Sequence, residues 1–143
     1  MYNTILIATD GSDLATQAAT QALSLAKALN SKVVALTVTE PFRWVDTQII
    51  PGTIESYLEG TKSYAAAVLR EISRQAGAEG VACEIFHLES EFPDKAIIET
   101  AEEKGCDLIV MGSHGRRGIS AVVLGSVTHR VLGQSKIPVL VTR

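Results

Sequence analysis

The spacing of apolar residues changes along the chain, and each spacing predicts one kind of secondary structure. Runs of consecutive apolar residues are typical of strands buried on both faces, whereas apolar residues three and four apart form one face of a helix. The strand pattern covers residues 4–9, 32–38, 82–88, 107–111 and 138–142. The third of these segments alternates apolar and polar residues, which favours a more exposed place near a sheet edge.

The segments between these strands have the helical spacing. Helices are predicted over residues 13–30, 53–75 and 93–104 and from residue 125 onwards. Ser12 and Asp13 are N-cap candidates for the first helix, and Gly77 and Gly80 are expected to close the second. A helix therefore crosses over between successive strands, which is the connection that parallel pairing requires.

Five strands alternating with four helices predict an open α/β sheet with helices on both faces. We expect a Rossmann-like, doubly wound, parallel five-stranded sheet of strand order 3-2-1-4-5, with residues 1–143 forming a single domain. Ligands bind such sheets at the carboxyl ends of the strands, where the strand order reverses. The candidate ligand loops therefore begin at Asp10, Thr39 and Gly112.

Proline and glycine interrupt regular structure between residues 40 and 52, a segment that carries Phe42 and Trp44. Two interpretations of these aromatic side chains stay open at this point. They cover a bound ligand, or they close the edge of the hydrophobic core.

Composition and charge exclude several classes of function. The chain is 46% hydrophobic, 20% charged and carries a net charge of −3, so nucleic acid and acidic membranes are not expected partners. No apolar run approaches the roughly 18 residues that a membrane span needs, and the first residues lack a signal-peptide pattern, so we expect a cytoplasmic protein. Cys83 and Cys106 have no metal-ligand spacing and are expected to be reduced, small apolar side chains.

Five of the eleven glycines lie between Gly112 and Gly133. Gly112 and Gly115 follow the fourth strand directly, and the absence of side chains lets backbone N–H groups approach a phosphate. Arg116 and Arg117 can supply the positive charge that a lysine supplies in a P-loop, or they are solvated surface residues. This loop is therefore a candidate phosphate site.

A second phosphate-binding device is predicted a few residues later. Residues 120–124 are expected to form a short turn, after which Gly125 and Ser126 begin the last helix. The unpaired N–H groups and the positive dipole end of that helix favour a phosphate. The hydroxyls of Ser126 and Thr128 can add hydrogen-bond donors.

The pattern Gly-x2-Gly-x9-Gly-Ser, which begins at Gly112, resembles the nucleotide-binding signature of the universal stress protein family. The resemblance covers the whole chain, from the stretch between Ile5 and Ser12 to the last strand. The family contains ATP-binding members that keep the spaced glycines and other members that lack them. This sequence is similar to the ATP-binding group.

The resemblance implies roles for the glycine-rich segments. Gly112, His114 and Gly115 would wrap the ribose and phosphates. The phosphate tail would be held through backbone and hydroxyl contacts by Gly125, Ser126 and Val127. ATP, ADP, AMP or cyclic AMP would be the cofactor, and Mg or Mn can accompany the phosphates, held by phosphate oxygens.

The resemblance also implies contacts to the sugar and the base. Asp10 would bond the ribose, the backbone of Val38 would read the adenine edge, and Ala8 and Thr9 would line the pocket. Ala8 stands where ATP-binding relatives often carry proline. A turn-forming role alone is the alternative for Asp10, and a solvated loop position is the alternative for His114.

The implied function is a stress-response module that binds an adenine nucleotide and reports it to an unidentified signalling partner. A slow ATP hydrolase and an adaptor without a nucleotide requirement are the alternatives. No catalytic residue is assigned, because hydrolysis needs a group that orients water and the sequence offers only Asp10 and His114. No metal ligand is assigned either, since His87 and His129 lie far from any second candidate ligand in sequence.

The last strand begins at Pro138 and ends at Thr142, and it is apolar. Left unpaired, it would be an exposed sheet edge. Pairing with a second copy across a two-fold axis removes that edge, so the sequence predicts a homodimer through this strand. The family resemblance implies the same assembly.

Overall fold

A computed structural model of the chain describes residues 1–41, 53–114 and 124–143. The elements in these residues are β1 (Thr4–Ala8), α1 (Asp13–Leu29), β2 (Lys32–Thr39), α2 (Thr53–Ala78), β3 (Cys83–Glu89), α3 (Pro93–Glu103), β4 (Leu108–Gly112), α4 (Ser126–Gln134) and β5 (Val139–Thr142). The strands form one parallel sheet of order β3-β2-β1-β4-β5. The predicted α/β fold and strand order are confirmed.

Helices cover both faces of the sheet, and this explains the apolar runs of the central strands. Ile5, Ile7 and Val33 pack against α1 and α2 on one face. Leu6 and Leu36 pack against α3 and α4 on the other. Because successive side chains of a strand point to opposite faces, a strand covered on both sides needs apolar residues at nearly every position.

The exposed character predicted for the third strand is confirmed. β3 is an edge strand that pairs with β2. Its residues Ile85 and Leu88 are among the exposed large hydrophobic side chains. The alternating pattern therefore reflects a strand that is only partly covered.

Most predicted boundaries of helices and strands lie within one or two residues of those in the structure. The predicted role of Gly77 as a helix terminator is wrong. Ser12 is the N-cap of α1, as predicted, and its hydroxyl oxygen accepts the N–H of Ala15 at 3.3 Å. α2 continues through Gly77 to Ala78, so Gly77 does not close the helix. Gly80 follows with φ at +71°, a conformation that favours glycine after a helix.

Cys83 and Cys106 are free thiols in the structure. Burial, together with the neighbouring Asp107 carboxylate, raises the pKa of Cys106 to about 11. The thiol therefore stays protonated near neutral pH, which suits a small apolar side chain. In the described ranges, none of the helices is both long and apolar enough to cross a membrane.

Candidate functional site

A cavity of about 870 Å³ opens at the carboxyl ends of β1, β2 and β4, beside the first turn of α4. Its volume lies within the range of small-molecule sites, about 300–1,000 Å³. The strand order reverses at β1, because β2 and β4 pair with its two edges. The cavity therefore lies at the point where open α/β sheets bind ligands.

The cavity brings together the predicted site residues that the structure describes. They come from three strand ends and from α4, and they are Ala8, Thr9, Asp10, Val38, Gly112, His114, Gly125, Ser126, Val127 and Thr128. Gly115, Arg116 and Arg117 lie outside the described residues, as do Phe42 and Trp44. The structure therefore places ten of the thirteen predicted residues at one cavity.

Asp10 lies in the turn between β1 and α1, and several hydrogen bonds hold that turn. Its Oδ1 accepts the N–H of Ser12 at 3.0 Å. Its backbone carbonyl accepts the hydroxyl of Tyr64, from α2, at 2.6 Å. The N–H of Gly11 donates to Thr9 Oγ1 at 3.1 Å. These bonds fix the position of the Asp10 carboxylate in the cavity wall.

Gly11 supports the site in a way that the sequence did not reveal. Its φ is +79°, in the left-handed region that favours glycine. A methyl group at this position would collide with the Tyr64 hydroxyl and lie 2.7 Å from Val68 Cγ2. The turn sequence of residues 10–12 signals the backbone conformation, but it carries no sign of the contact with α2.

Gly112 lines the cavity, and the structure gives its missing side chain a packing cause that the sequence does not show. A Cβ atom there would lie 3.2 Å from the carbonyl carbon and oxygen of Leu14 and 3.3 Å from the nitrogen of Ala15. Both residues belong to the first turn of α1. Glycine therefore lets α1 pack closely against the end of β4, and the approach of a phosphate is not needed to explain it.

Two hydrogen bonds fix the start of α4 to the end of β4. The Thr128 hydroxyl donates to the Gly112 carbonyl at 2.9 Å, and the Gly125 N–H donates to the Ser113 carbonyl at 2.7 Å. The hydroxyl hydrogen of Thr128 is thus used within the protein, which corrects its predicted role as a donor to a ligand. Gly125 is the N-cap of α4 and has no side chain to bond the N–H groups of the first turn.

The two sides of the cavity differ in chemistry. The apolar wall, on the side of α3 and α4, consists of Leu36, Val38, Pro93, Ile97, Met111 and Val127. The hydroxyl wall, on the side of α2, consists of Ser56, Tyr57, Thr61 and Tyr64. The hydroxyl wall was missed in the sequence because polar side chains three and four apart on a helix are equally typical of a solvated face.

Two buried polar atoms of the cavity lack a hydrogen-bond partner in the part of the chain that the structure describes. They are Thr37 Oγ1, on a residue 1% exposed, and His114 Nε2, on a residue 6% exposed. The other ring nitrogen of His114, Nδ1, lies 3.1 Å from Ser113 Oγ. An unpaired buried polar group costs about 1–3 kcal/mol, and a ligand that pairs it removes that cost.

The charged residues among the described lining are Asp10 and Glu40, so the fixed charge of this part of the cavity is negative. A phosphate is therefore favoured at the start of α4 rather than beside β1. Within residues 1–41, 53–114 and 124–143, no cluster of three His, Cys, Asp or Glu residues could hold a metal ion. The ring of His87 makes a hydrogen bond within the protein, because its Nε2 atom lies 2.7 Å from Thr39 Oγ1.

Fold and cavity together define a parallel α/β protein with a cavity at its topological switch point. The model of the universal stress protein family matches residues 1–143. The chain belongs to the universal stress protein family.

Individual relatives agree with the family match. Universal stress protein MJ0531 of Methanocaldococcus jannaschii is 36% identical over 145 residues, which cover 100% of this chain and 83% of the relative. The structure of MJ0577 from the same organism matches with a TM-score of 0.80 at 28% identity, covering 99% and 96% of the two chains. A universal stress protein solved in complex with cAMP matches with a TM-score of 0.69 at 31% identity, covering 99% and 97%.

Proposed function

We propose that this protein binds an adenine nucleotide in the cavity and acts as a dimeric stress-response module. The observation that carries the proposal is the meeting of ten predicted nucleotide-site residues at one cavity, together with buried polar atoms that lack protein partners in the described chain. The cAMP complex of a relative at 31% identity supports an adenine nucleotide as the class of ligand.

The chemistry of the cavity suits the three parts of such a ligand. The apolar wall suits the flat, largely apolar adenine base. The start of α4, which has no acidic residue in its first turn, suits the phosphates. The Asp10 carboxylate suits the hydroxyl donors of the sugar. ATP, ADP, AMP and cyclic AMP share these groups, and a divalent cation would be held by phosphate oxygens.

The substitution Ser126→Asp tests the phosphate site. Because an acidic residue in the first turn of a helix interacts favourably with the dipole, we expect an unchanged or slightly higher stability, by about 0.3–1 kcal/mol. Because the same carboxylate repels a phosphate, we expect the affinity for ATP to fall by about tenfold or more. Isothermal titration calorimetry measures the affinity, and thermal unfolding measures the stability.

Ser126→Asn is the matched control, since asparagine has the shape of aspartate without its charge. We expect it to bind ATP about tenfold more tightly than Ser126→Asp does. Equal affinity in the two variants would show that no phosphate lies at α4. If ATP, ADP, AMP and cAMP all fail to bind the unmodified protein, and mass spectrometry of the denatured protein finds no nucleotide, the proposed function is wrong.

Assembly is tested at Leu140, which lies on the edge strand β5 and is 42% exposed. We expect the unmodified protein to elute as a dimer and Leu140→Glu to elute as a monomer, because like charges would meet across the two-fold axis. Size-exclusion chromatography with light scattering measures the mass. An unchanged dimer in Leu140→Glu would contradict an interface through β5.

A further inference from the structure

Thr37 lies on the side of the sheet that faces α1 and α2. Val33 and Ala35 of the same strand pack in the core cluster on that side. Because side chains alternate along a strand, Thr37 shares their face. The same alternation places Thr9 on this face, following Ile5 and Ile7 of β1. Thr37 therefore belongs to the side of the cavity that the hydroxyl wall covers.

Three other threonines of the cavity have hydrogen-bond partners within the protein. Thr9 Oγ1 accepts the N–H of Gly11, Thr39 Oγ1 lies 2.7 Å from a ring nitrogen of His87, and the Thr128 hydroxyl donates to a backbone carbonyl. Thr37 Oγ1 is buried and has no partner among the described residues. Its hydroxyl thus has hydrogen-bonding capacity that the described part of the chain leaves free for a ligand.

The surroundings of Thr37 favour neutral hydroxyl groups over phosphate. Asp10 supplies a negative charge to the cavity, and Thr61 and Tyr64 of α2 supply hydroxyls. Phosphate would be repelled by the carboxylate, whereas a sugar hydroxyl can donate to it. A threonine hydroxyl donates one hydrogen bond and accepts others, so it pairs well with a group that does the same.

We propose that Thr37 is a specificity-determining residue that hydrogen-bonds a sugar hydroxyl of the bound nucleotide. This inference rests on the proposed function, because it assigns the residue that reads the sugar of the same ligand. The ligand then lies with its base on the apolar wall and its sugar hydroxyls towards Thr37 and Asp10. The site distinguishes ribonucleotides from deoxyribonucleotides.

The experiment compares the affinities of ATP, 2′-deoxy-ATP and 3′-deoxy-ATP by isothermal titration calorimetry. In the unmodified protein we expect at least one deoxy analogue to bind about three- to tenfold more weakly than ATP, which corresponds to one hydrogen bond. Thr37→Val removes the hydroxyl and keeps the shape of the side chain. We expect Thr37→Val to reduce the preference for ATP over the deoxy analogue at least threefold or to abolish it.

Three variants control the interpretation. Thr37→Ser keeps a hydroxyl and is expected to keep the preference for ATP. Thr37→Ala also lacks the hydroxyl and gives the same test if Thr37→Val does not fold. Thr100→Val removes the hydroxyl of a buried threonine of α3 outside the cavity and is expected to keep the preference.

A second readout needs no ligand. Because Thr37→Val replaces an unpaired buried hydroxyl with a methyl group, we expect the melting temperature of the nucleotide-free protein to rise by about 3 °C. The role of Thr37 is wrong if the unmodified protein binds ATP and both analogues equally well, or if Thr37→Val keeps the preference for ATP. Either result would leave nucleotide binding intact. Failure of ATP and both analogues to bind the unmodified protein would overturn the proposed function itself.

Discussion

The substitution Gly11→Ala is expected to lower the free energy of unfolding by about 3–5 kcal/mol. The left-handed backbone of residue 11 costs alanine about 1–2 kcal/mol. The added methyl group would also displace Tyr64, which costs about 1–3 kcal/mol in strain and loses the hydrogen bond to the Asp10 carbonyl. Urea denaturation measures the change.

Gly77→Ala is the control for Gly11→Ala, because it makes the same substitution at a glycine inside the helix α2. Nothing lies within 4 Å of a Cβ atom at that position, so we expect alanine there to stabilise the protein by about 0.5–1 kcal/mol. Combining Gly11→Ala with Tyr64→Phe removes the colliding hydroxyl, so the double variant should lose less stability than the sum of the single variants. Strict additivity would contradict the contact between the β1–α1 turn and α2.

Gly112→Ala is expected to destabilise the nucleotide-free protein by about 1–3 kcal/mol. The new Cβ atom would lie 3.2 Å from backbone atoms of Leu14, and a helix backbone cannot rotate away as a side chain can. The start of α1 must therefore move away from β4. Thermal unfolding in the absence of nucleotide measures this effect directly.

Gly133→Ala separates this explanation from a general effect of glycine. Residue 133 lies in α4 with open space at its Cβ position, and alanine there should raise stability by about 0.5–1 kcal/mol. If Gly112→Ala leaves the stability of the nucleotide-free protein unchanged and weakens only ligand binding, packing against α1 is not the reason for the glycine.

The fold could be predicted because its central strands and helices differ clearly in apolar spacing. A strand such as β1, buried on both faces, must be apolar at almost every position, and few other structures have that pattern. The end of α2 could not be predicted, because Gly77 resembles a helix terminator in sequence. In the structure α2 continues past it to Ala78, and the positive φ of Gly80 marks the turn that follows.

The candidate site was predictable where ligand contacts follow from chain topology. Gly112 ends β4, and Asp10 and His114 lie just after β1 and β4, so the sheet alone brings these three residues together. Thr37 and Tyr64 could not be assigned in this way. Thr37 has the pattern of an ordinary strand residue, and its unpaired hydroxyl exists only in the packed protein.

The central position of β1 has a consequence for the order in which the chain can fold. Ile5 pairs with Val33 on one edge of β1, but its partner on the other edge is Leu108. A nascent chain that ends before β4 can complete only the half of the sheet that contains β3 and β2. Until β4 is synthesised, the second edge of β1 keeps unpaired N–H and C=O groups that other chains can bind, and folding must wait for a contact distant in sequence.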